Sequence, residues 1–404
     1  MKNAVLLSVM MFLQFMMLPV WFVPMFPYVQ ALPDSGSWVV WCGLIMGFGT
    51  FTSPLFGMFA DRFLNAEKVL AICNFIGAAL LLCASTVRSP AVMFVVLLGA
   101  MCFYMPTWSL TATITLAHST KRTFPRIRVF GTVGWVASGA FSLVGAKCFG
   151  IADFDSTSWI FVAGAAVSLA AALFAFALPA TEPVAKGTPM SVSDALGLKA
   201  LVLFKDASFR TFAILLLLAM LPFQWYNVYC GAYLKETGFQ YLTLTMNLGQ
   251  AGEISFMLLV PVIIGRFGYK KAMLIALATL ALRNLCFLGA TQGSAFAFMD
   301  FGGILVHGLI FGILIVGSQM FIDEVAPKEL RNQAQGLVNL LTAGVGVFAS
   351  NFLFDAILAR GAAPGSHNWP VAYAVAIALA FGAFIAVAVS FKSTSAKGAT
   401  GFMV

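Results

Sequence analysis

Twelve apolar stretches, each about 20 residues long or longer, recur along the chain and are separated by short polar loops. Such a stretch can cross a bilayer as a helix, because a helix satisfies all its own backbone hydrogen bonds in the absence of water. Only 9% of the residues are charged, whereas a soluble domain has roughly 25%. The sequence therefore predicts an all-α membrane protein with transmembrane helices at 5–30, 37–60, 68–87, 91–117, 127–149, 157–179, 209–233, 241–265, 270–290, 296–321, 333–359 and 369–391.

The distribution of basic residues predicts the orientation of these helices. Of the 23 Lys and Arg residues, 18 fall on one side of the predicted membrane, four fall on the other side, and Arg283 lies within a span. Because basic loops face the cytoplasm, both termini are expected to be cytoplasmic. The net charge of +8 then reflects topology rather than nucleic-acid binding, since the basic residues are scattered among loops.

The longest polar interval between spans, residues 180–208, divides the helices six and six. It predicts an N-terminal bundle at 1–179, a cytoplasmic linker at 180–208 and a C-terminal bundle at 209–404. The loops after helices two and eight both place glycine and basic residues at the cytoplasmic end of the second helix of a half. Two six-helix bundles of this kind are the arrangement of the major facilitator fold, which binds substrate between its halves.

The loop after helix two also resembles the cytoplasmic signature of that superfamily, Gly-x-x-x-Asp-Arg, with Gly57, Asp61 and Arg62. Asp61 can accept hydrogen bonds from a neighbouring helix end, and Arg62 can pair across an interface. The three residues are therefore interpreted as a conformational latch. The alternative is an ordinary charged turn that obeys the rule for basic loops.

Several segments resemble a narrower group, the bacterial nucleoside:proton symporter family. The most specific of them is Pro-x-Ile-Arg-x-x-Gly-Thr-x-Gly at 125–134, the start of helix five. The similarity extends over nearly all of the chain and includes residues 57–64, 71–73, 104–107, 124–134, 282–283 and 324–336. The resemblance implies uptake of nucleosides across a bacterial inner membrane.

Helix five carries Arg128, Thr132 and Trp135 at spacings that place them on one face. They offer a guanidinium fork, a hydroxyl and a stacking plane, which suit a nucleoside's hydroxyls and flat base. The resemblance implies that these residues bind substrate. The alternative makes Arg128 a cytoplasmic anchor and Trp135 a residue that faces lipid.

Helices seven and eight each carry a polar pair within an apolar stretch. Gln224 and Asn227 share one face beside Pro222, and the resemblance assigns them to the base or sugar, although such amides can also simply join helices. Gln250 and Glu253 also share one face, and a carboxyl group at that depth is functional by default, since its charge is costly. Glu253 is therefore the expected proton carrier.

Helix ten carries His307 and Phe311 on one face, at positions where the resemblance implies substrate contact. His307 replaces a tyrosine of the family pattern and is a possible second proton carrier, or else a core residue. Gly312 replaces an aspartate, which leaves one acid fewer in the expected site. Arg283 in helix nine is expected to pair with carbonyl groups at a helix end.

The sequence thus predicts a proton-coupled nucleoside transporter that works by alternating access. Its expected partners are nucleoside, protons and the lipid bilayer, and it is expected to be a monomer. No catalytic triad, phosphate loop or metal-ligand spacing is present in the sequence, so no enzyme activity, metal or cofactor is expected. Transport of another polar solute such as a sugar, uncoupled facilitation and a sensor that does not transport remain the alternatives.

Overall fold

The apolar stretches fold into helices, and the helices are grouped in two units. A computed structural model describes residues 2–35, 38–151, 154–187, 198–238, 242–291, 296–358 and 367–391. Unit 1 comprises Met1–Leu201 and Ile322–Gly344, and unit 2 comprises Val202–Phe321 and Val345–Val404. The end of helix ten (322–325) and the first part of helix eleven (328–344) therefore belong to unit 1, whereas the rest of both helices belongs to unit 2.

Unit 1 contains the first six helices. Helix α1 packs on α5 and α6, whereas α3 packs on α4 and α6, and α2 packs on α4. The helices are α1 (Lys2–Gln30), α2 (Trp38–Gly49, the 3-10 turn Thr50–Thr52 and Ser53–Arg62), α3 (Ala66–Thr86), α4 (Pro90–Ala117), α5 (Phe124–Ala137 and Ala140–Phe149) and α6 (Trp159–Ala175).

Unit 2 contains α7 to α9 and α12, together with the parts of α10 and α11 that lie outside unit 1. Within it α8 packs on α10, α9 on α12, and α7 on α11. The helices are α7 (Ala207–Glu236), α8 (Leu242–Met257 and 260–267), α9 (269–290), α10 (Phe298–Leu305, His307–Phe311, the π-helical turn Gly312–Gly317 and Ser318–Val325), α11 (Lys328–Leu330, Arg331–Asn339, the π-helical turn Leu340–Val345 and Gly346–Leu358) and α12 (Trp369–Ser390).

Nine helices among the described residues are long and apolar enough to cross a membrane, and ten if the bent helix α5 counts as one span. The other two predicted spans are present as less regular helices. Helix α6 is apolar but has only 17 residues. Helix α8 is interrupted after Met257, and its second part runs on toward α9 until Gly268, whose φ of 74° is left-handed and ends the helical run. The twelve predicted helices therefore correspond to α1–α12.

A proline in the middle of α4 is accommodated by a contact with α2. Pro106 has no N–H, so the carbonyl of Cys102 loses its partner within the helix. Thr52 Oγ1, in the 3-10 turn of α2, donates a hydrogen bond to that carbonyl at 2.5 Å. A hydroxyl group in the 3-10 turn of α2 thus satisfies the carbonyl that Pro106 leaves unpaired in α4. This hydrogen bond fixes where α2 meets α4.

Helices α8 and α10 approach each other closely where both carry glycine. A Cβ atom on Gly308 would lie 2.2 Å from the backbone nitrogen of Glu253, and a Cβ atom on Gly252 would lie 2.2 Å from the carbonyl oxygen of Leu305. These distances leave no space for any side chain. The contact places the backbone of Glu253 beside α10, one residue from His307.

We expect Gly308→Ala to destabilise the protein by about 1 to 3 kcal/mol, because the added methyl group forces α8 and α10 apart. Gly382→Ala is the matched control, since a Cβ atom there meets nothing within 4 Å. Thermal unfolding of both variants in detergent gives the comparison. Equal melting temperatures for Gly308→Ala and the parent protein would show that the crossing is not tight.

Candidate functional site

The polar residues of α5 lie on the face that packs against α1. Arg128 and Thr132 are buried, and Trp135 is half-buried against the core of unit 1, whereas Val133 and Val136 on the other face are exposed. Arg128, Thr132 and Trp135 therefore share one face of α5, as predicted, and this face packs against protein. The burial of Arg128 is not the arrangement that a cytoplasmic anchor in the lipid headgroups would have.

Arg128 is held by an aromatic ring that sequence analysis did not identify. Its guanidinium carbon lies 3.9 Å from the ring centroid of Phe15 in α1. The Phe15 ring also contacts Trp108 of α4, with centroids 5.5 Å apart. A cation over an aromatic face is stabilised by the ring's quadrupole, so Phe15 fixes the direction of the guanidinium. Nothing in the sequence marked Phe15, because the chain has 40 phenylalanines.

The two amides of α7 contact each other. Asn227 Nδ2 donates to Gln224 Oε1 at 2.9 Å. Gln224 is buried and Asn227 is exposed, so the pair extends from the interior of unit 2 to its surface. Helix α7 continues through Pro222 from Ala207 to Glu236. The sequence prediction that both amides lie on one face therefore agrees with their geometry.

Glu253 of α8 is 5% exposed, and Gln250, one turn earlier, is half-buried. Their neighbour Gly249 faces both α7 and α10: a Cβ atom there would lie 3.4 Å from Tyr226 Oη and 3.4 Å from the carbonyl oxygen of Ile304. The polar face of α8 is thus directed at the interior of unit 2, where α7 and α10 meet it.

His307 of α10 is 5% exposed and lies among aromatic rings. Its ring centroid lies 4.9 Å from that of Tyr226, 5.8 Å from that of Phe223 and 6.1 Å from that of Phe311. Phe311 is half-buried, one turn further along the helix. Sequence analysis identified His307 and Phe311 but gave no indication of the two aromatic neighbours in α7.

Gly312 begins a π-helical turn in α10 and is closely covered by α8. A Cβ atom on this residue would lie 2.8 Å from Cγ2 of Val260. The space that an aspartate would need at this position is therefore filled by a valine. The departure from the family pattern is a difference of packing as well as of charge.

Arg283 of α9 is 0% exposed, and its hydrogen bonds extend to two other helices. Nη2 donates to the carbonyl oxygens of Pro222 at 3.2 Å and Phe223 at 3.3 Å, and Nη1 lies 3.3 Å from His307 Nδ1. The expected carbonyl partners are thus present, but they lie in the middle of α7 rather than at a helix end. The sequence signal was available, since a charged residue within a span indicates function.

The Gly57, Asp61 and Arg62 segment meets the first part of α11 within unit 1. The Asp61 carboxylate accepts hydrogen bonds from the backbone N–H groups of Asn332 (3.2 Å) and Gln333 (3.0 Å) and from Asn332 Nδ2 (2.5 Å). These N–H groups belong to the first turn of a helix, where a negative charge is favourable. A Cβ atom on Gly57 would lie 2.7 Å from the carbonyl oxygen of Asn332, so only glycine permits this approach.

Two ion pairs lie in the same part of unit 1. Lys121 Nζ contacts Glu324 Oε2 at 2.6 Å, and Arg331 Nε contacts Asp323 Oδ1 at 3.0 Å. Arg62 itself is buried, at 5% exposure. Across the described ranges no cluster of His, Cys, Asp or Glu could hold a metal ion.

Comparison with known proteins identifies the group to which this arrangement belongs. The sequence matches the family model of the nucleoside H+ symporter over residues 1–396. It is 37% identical over 350 residues to the putative nucleoside transporter YegT of Escherichia coli (strain K12), a match that covers 86% of this chain and 82% of YegT.

Solved structures show the same fold. A crystal structure of the nucleoside transporter NupG matches with a TM-score of 0.65 at 25% identity, over 98% of this chain and 100% of that chain. The proton:xylose symporter XylE, of the major facilitator superfamily, matches with a TM-score of 0.72 at 12% identity, over 98% and 97%. The predicted fold, twelve helices in two six-helix bundles, is confirmed.

The family assignment also confirms the predicted resemblance and the prediction that the protein is a transporter and not an enzyme. The matches span nearly the full length of the chain, so they include every helix that carries a candidate residue. The chain belongs to the nucleoside H+ symporter family, whose members are multi-pass membrane transporters.

Proposed function

We propose that the protein takes up nucleosides by alternating access, with Glu253 as the proton carrier and with one group of substrate-binding side chains in each unit. Nucleoside transport together with protons is the activity of the family to which the chain belongs. The observation that carries the proposal is that each unit holds polar side chains inside an apolar bundle, where they are costly unless they serve binding.

In unit 1 the proposed substrate-binding residues are Arg128, Thr132 and Trp135. The Phe15 ring orients the Arg128 guanidinium from one side. The planar N–H groups of a guanidinium suit hydroxyl and carbonyl oxygens. Trp135 offers a flat face for a base or a sugar. Buried charged donors of this kind discriminate strongly against ligands that leave them unpaired.

In unit 2 the proposed residues are Gln224, Asn227, Gln250, Glu253, His307 and Phe311. The amide pair of α7 presents donors and acceptors in a fixed arrangement, because Asn227 donates to Gln224. Such a pair suits the edge of a base, which combines donors and acceptors. Phe311 and the rings around His307 supply apolar and aromatic surface.

Of the two candidate proton carriers predicted from the sequence, Glu253 and His307, we favour Glu253. An arginine can only donate hydrogen bonds, so the contact of Arg283 with His307 Nδ1 requires that this nitrogen carry no proton. A protonated imidazole would also add a second positive charge beside a buried guanidinium. We therefore assign the proton to Glu253 and a hydrogen-bonding role to His307.

Orientation, oligomeric state and the bundle boundaries at 179 and 209 are part of this proposal. Both termini are placed in the cytoplasm of a bacterium, with the helices in its inner membrane, and the functional form is a monomer. Impermeant thiol labelling of Lys147→Cys from outside and of Lys205→Cys from inside, each in a background without the seven native cysteines, would test the orientation.

Arg128→Ala should weaken nucleoside binding by about tenfold or more, because hydrogen bonds to a charged group contribute roughly 1.5 to 3 kcal/mol. Arg126→Ala is the control, since Arg126 lies two residues away on the exposed face of the same helix. Binding is measured on purified protein by calorimetry with uridine and adenosine. Unchanged affinity in Arg128→Ala would remove this helix from the binding site.

Glu253→Gln should still bind nucleoside and exchange it across a membrane, but it should not accumulate it, because an amide cannot carry a proton. The measurement is uptake into proteoliposomes driven by a pH gradient, with and without an uncoupler. Asp300→Asn is the control, since Asp300 is the other buried acid among the described residues of unit 2. Parental accumulation by Glu253→Gln would contradict the assignment, and parental uptake that ignores the uncoupler would indicate a facilitator.

Asp61→Ala should release the first part of α11 (328–344), because it removes the acceptor of three hydrogen bonds. Thr50, which is buried near Gly344 of α11, serves as the reporter after Thr50→Cys in a background without the seven native cysteines. Its labelling by a thiol reagent should become several-fold faster. Asp155→Ala, at an exposed residue, should leave the rate unchanged; equal rates in both variants would exclude a latch at Asp61.

A further inference from the structure

Arg283 is a fully buried cation whose partners are not carboxylates. Its hydrogen bonds go to two backbone carbonyls and to one imidazole nitrogen, and its guanidinium carbon lies 4.3 Å from the ring centroid of Tyr226. Among the described residues no carboxylate forms an ion pair with it. A buried charge with neutral partners is expensive to keep, so its retention calls for a role beyond charge balance.

The contact with His307 defines the state of the imidazole. The guanidinium has only donors, so His307 Nδ1 must be the acceptor, and a neutral ring then carries its proton on Nε2. The groups that face His307 are Arg283 from α9, Tyr226 from α7 and, through the backbone contact at Gly308, Glu253 from α8. Because the nearest charge is positive, the arrangement keeps the ring neutral.

The orientation of the ring is fixed as well. His307 stacks on Tyr226 with 28° between the planes and on Phe223 with 11° between the planes. Arg283 also bonds the carbonyls of Pro222 and Phe223, immediately before Gln224. One guanidinium therefore contacts both the imidazole of α10 and the backbone of α7, which fixes the imidazole relative to α7.

We propose that Arg283 is a positioning residue that holds His307 as a neutral hydrogen-bond donor, with Nε2–H directed to an acceptor atom of the nucleoside. The inference rests on the proposed function for its ligand, but the state of the imidazole follows from the contact with Arg283 alone. Arg283 touches no substrate in this scheme; it determines which nitrogen of His307 can donate. Selectivity for nucleosides with an acceptor at this position is the consequence.

The state of the ring can be observed directly by solid-state NMR of protein labelled with 15N-histidine in lipid. The chain has only three histidines, so the loss of one signal in His307→Phe identifies the ring of interest. We expect a neutral ring protonated on Nε2 from pH 5.5 to 8. Arg283→Met should produce a mixture of tautomers or a protonated ring at the acid end. If the signal assigned to His307 in the parent protein came from the Nδ1–H tautomer or from imidazolium, the proposal would be overturned.

Binding measurements separate positioning from simple support of the fold. Arg283→Met should weaken uridine or adenosine binding by about tenfold when His307 is present, and by less than about twofold when it is added to His307→Phe. Equal losses in both backgrounds would mean that Arg283 only stabilises the bundle, which would overturn the proposal. Arg210→Met is the control, because it removes an exposed arginine bonded to the carbonyl of Phe204 at 3.0 Å.

The two experiments also distinguish this inference from the proposed function. The parent protein could bind neither nucleoside and still show the Nε2–H tautomer of His307 that Arg283→Met abolishes. In that case the proposed substrate is wrong, while the positioning of His307 by Arg283 is upheld. If nucleosides bind and the double-mutant coupling is absent, the transporter assignment is upheld while the role of Arg283 is overturned.

Discussion

The structure depends on one constraint: a polar group inside an apolar helical bundle must find its partner within the protein. Three of the contacts described above are solutions to this problem. Thr52 donates to the carbonyl that Pro106 leaves unpaired, Asp61 accepts from N–H groups in the first part of α11, and Arg283 donates to carbonyls of α7. Because a buried polar group must be paired, each of these contacts specifies which helices are neighbours and in what register. The same constraint makes buried polar residues good indicators of function.

Close approach is the second condition, and glycine provides it. Gly57 lies against the carbonyl of Asn332, and Gly308 lies against the backbone of Glu253. A Cβ atom on Gly134 would lie 2.1 Å from the carbonyl oxygen of Phe12. Each of these contacts lies beside a candidate residue, so the glycines set the distances over which the candidate side chains can act. In unit 1 the contact at Gly134 holds α5 against α1, where Arg128 lies over Phe15.

Much of this arrangement could be predicted from the sequence, because a helix that crosses lipid needs an apolar stretch of a given length and places its polar residues at helical spacing on one face. The helices follow from twelve apolar runs, and the stripe of Arg128, Thr132 and Trp135 follows from its spacing. Partner choice could not be predicted in this way. Sequence spacing places Arg283 within a span, but it does not show that His307 is the group it meets, since that depends on how α9, α7 and α10 pack. Phe15 had no distinguishing signal among many aromatic residues.

The missing acid of α10 bears on how protons are handled. Val260 of α8 fills the space beside Gly312, so a carboxylate side chain at this position would require the packing of α8 to shift. Of the two buried acids among the described residues of unit 2, Asp300 accepts a hydrogen bond from Tyr233 Oη at 3.0 Å in the first turn of α10, where a helix N-terminus stabilises its charge. Glu253 lies in the middle of α8, against the backbone of α10 at Gly308. A carboxyl group whose ionisation differs in cost between two conformations is one whose proton can be coupled to the change of conformation, and this is the role proposed for Glu253.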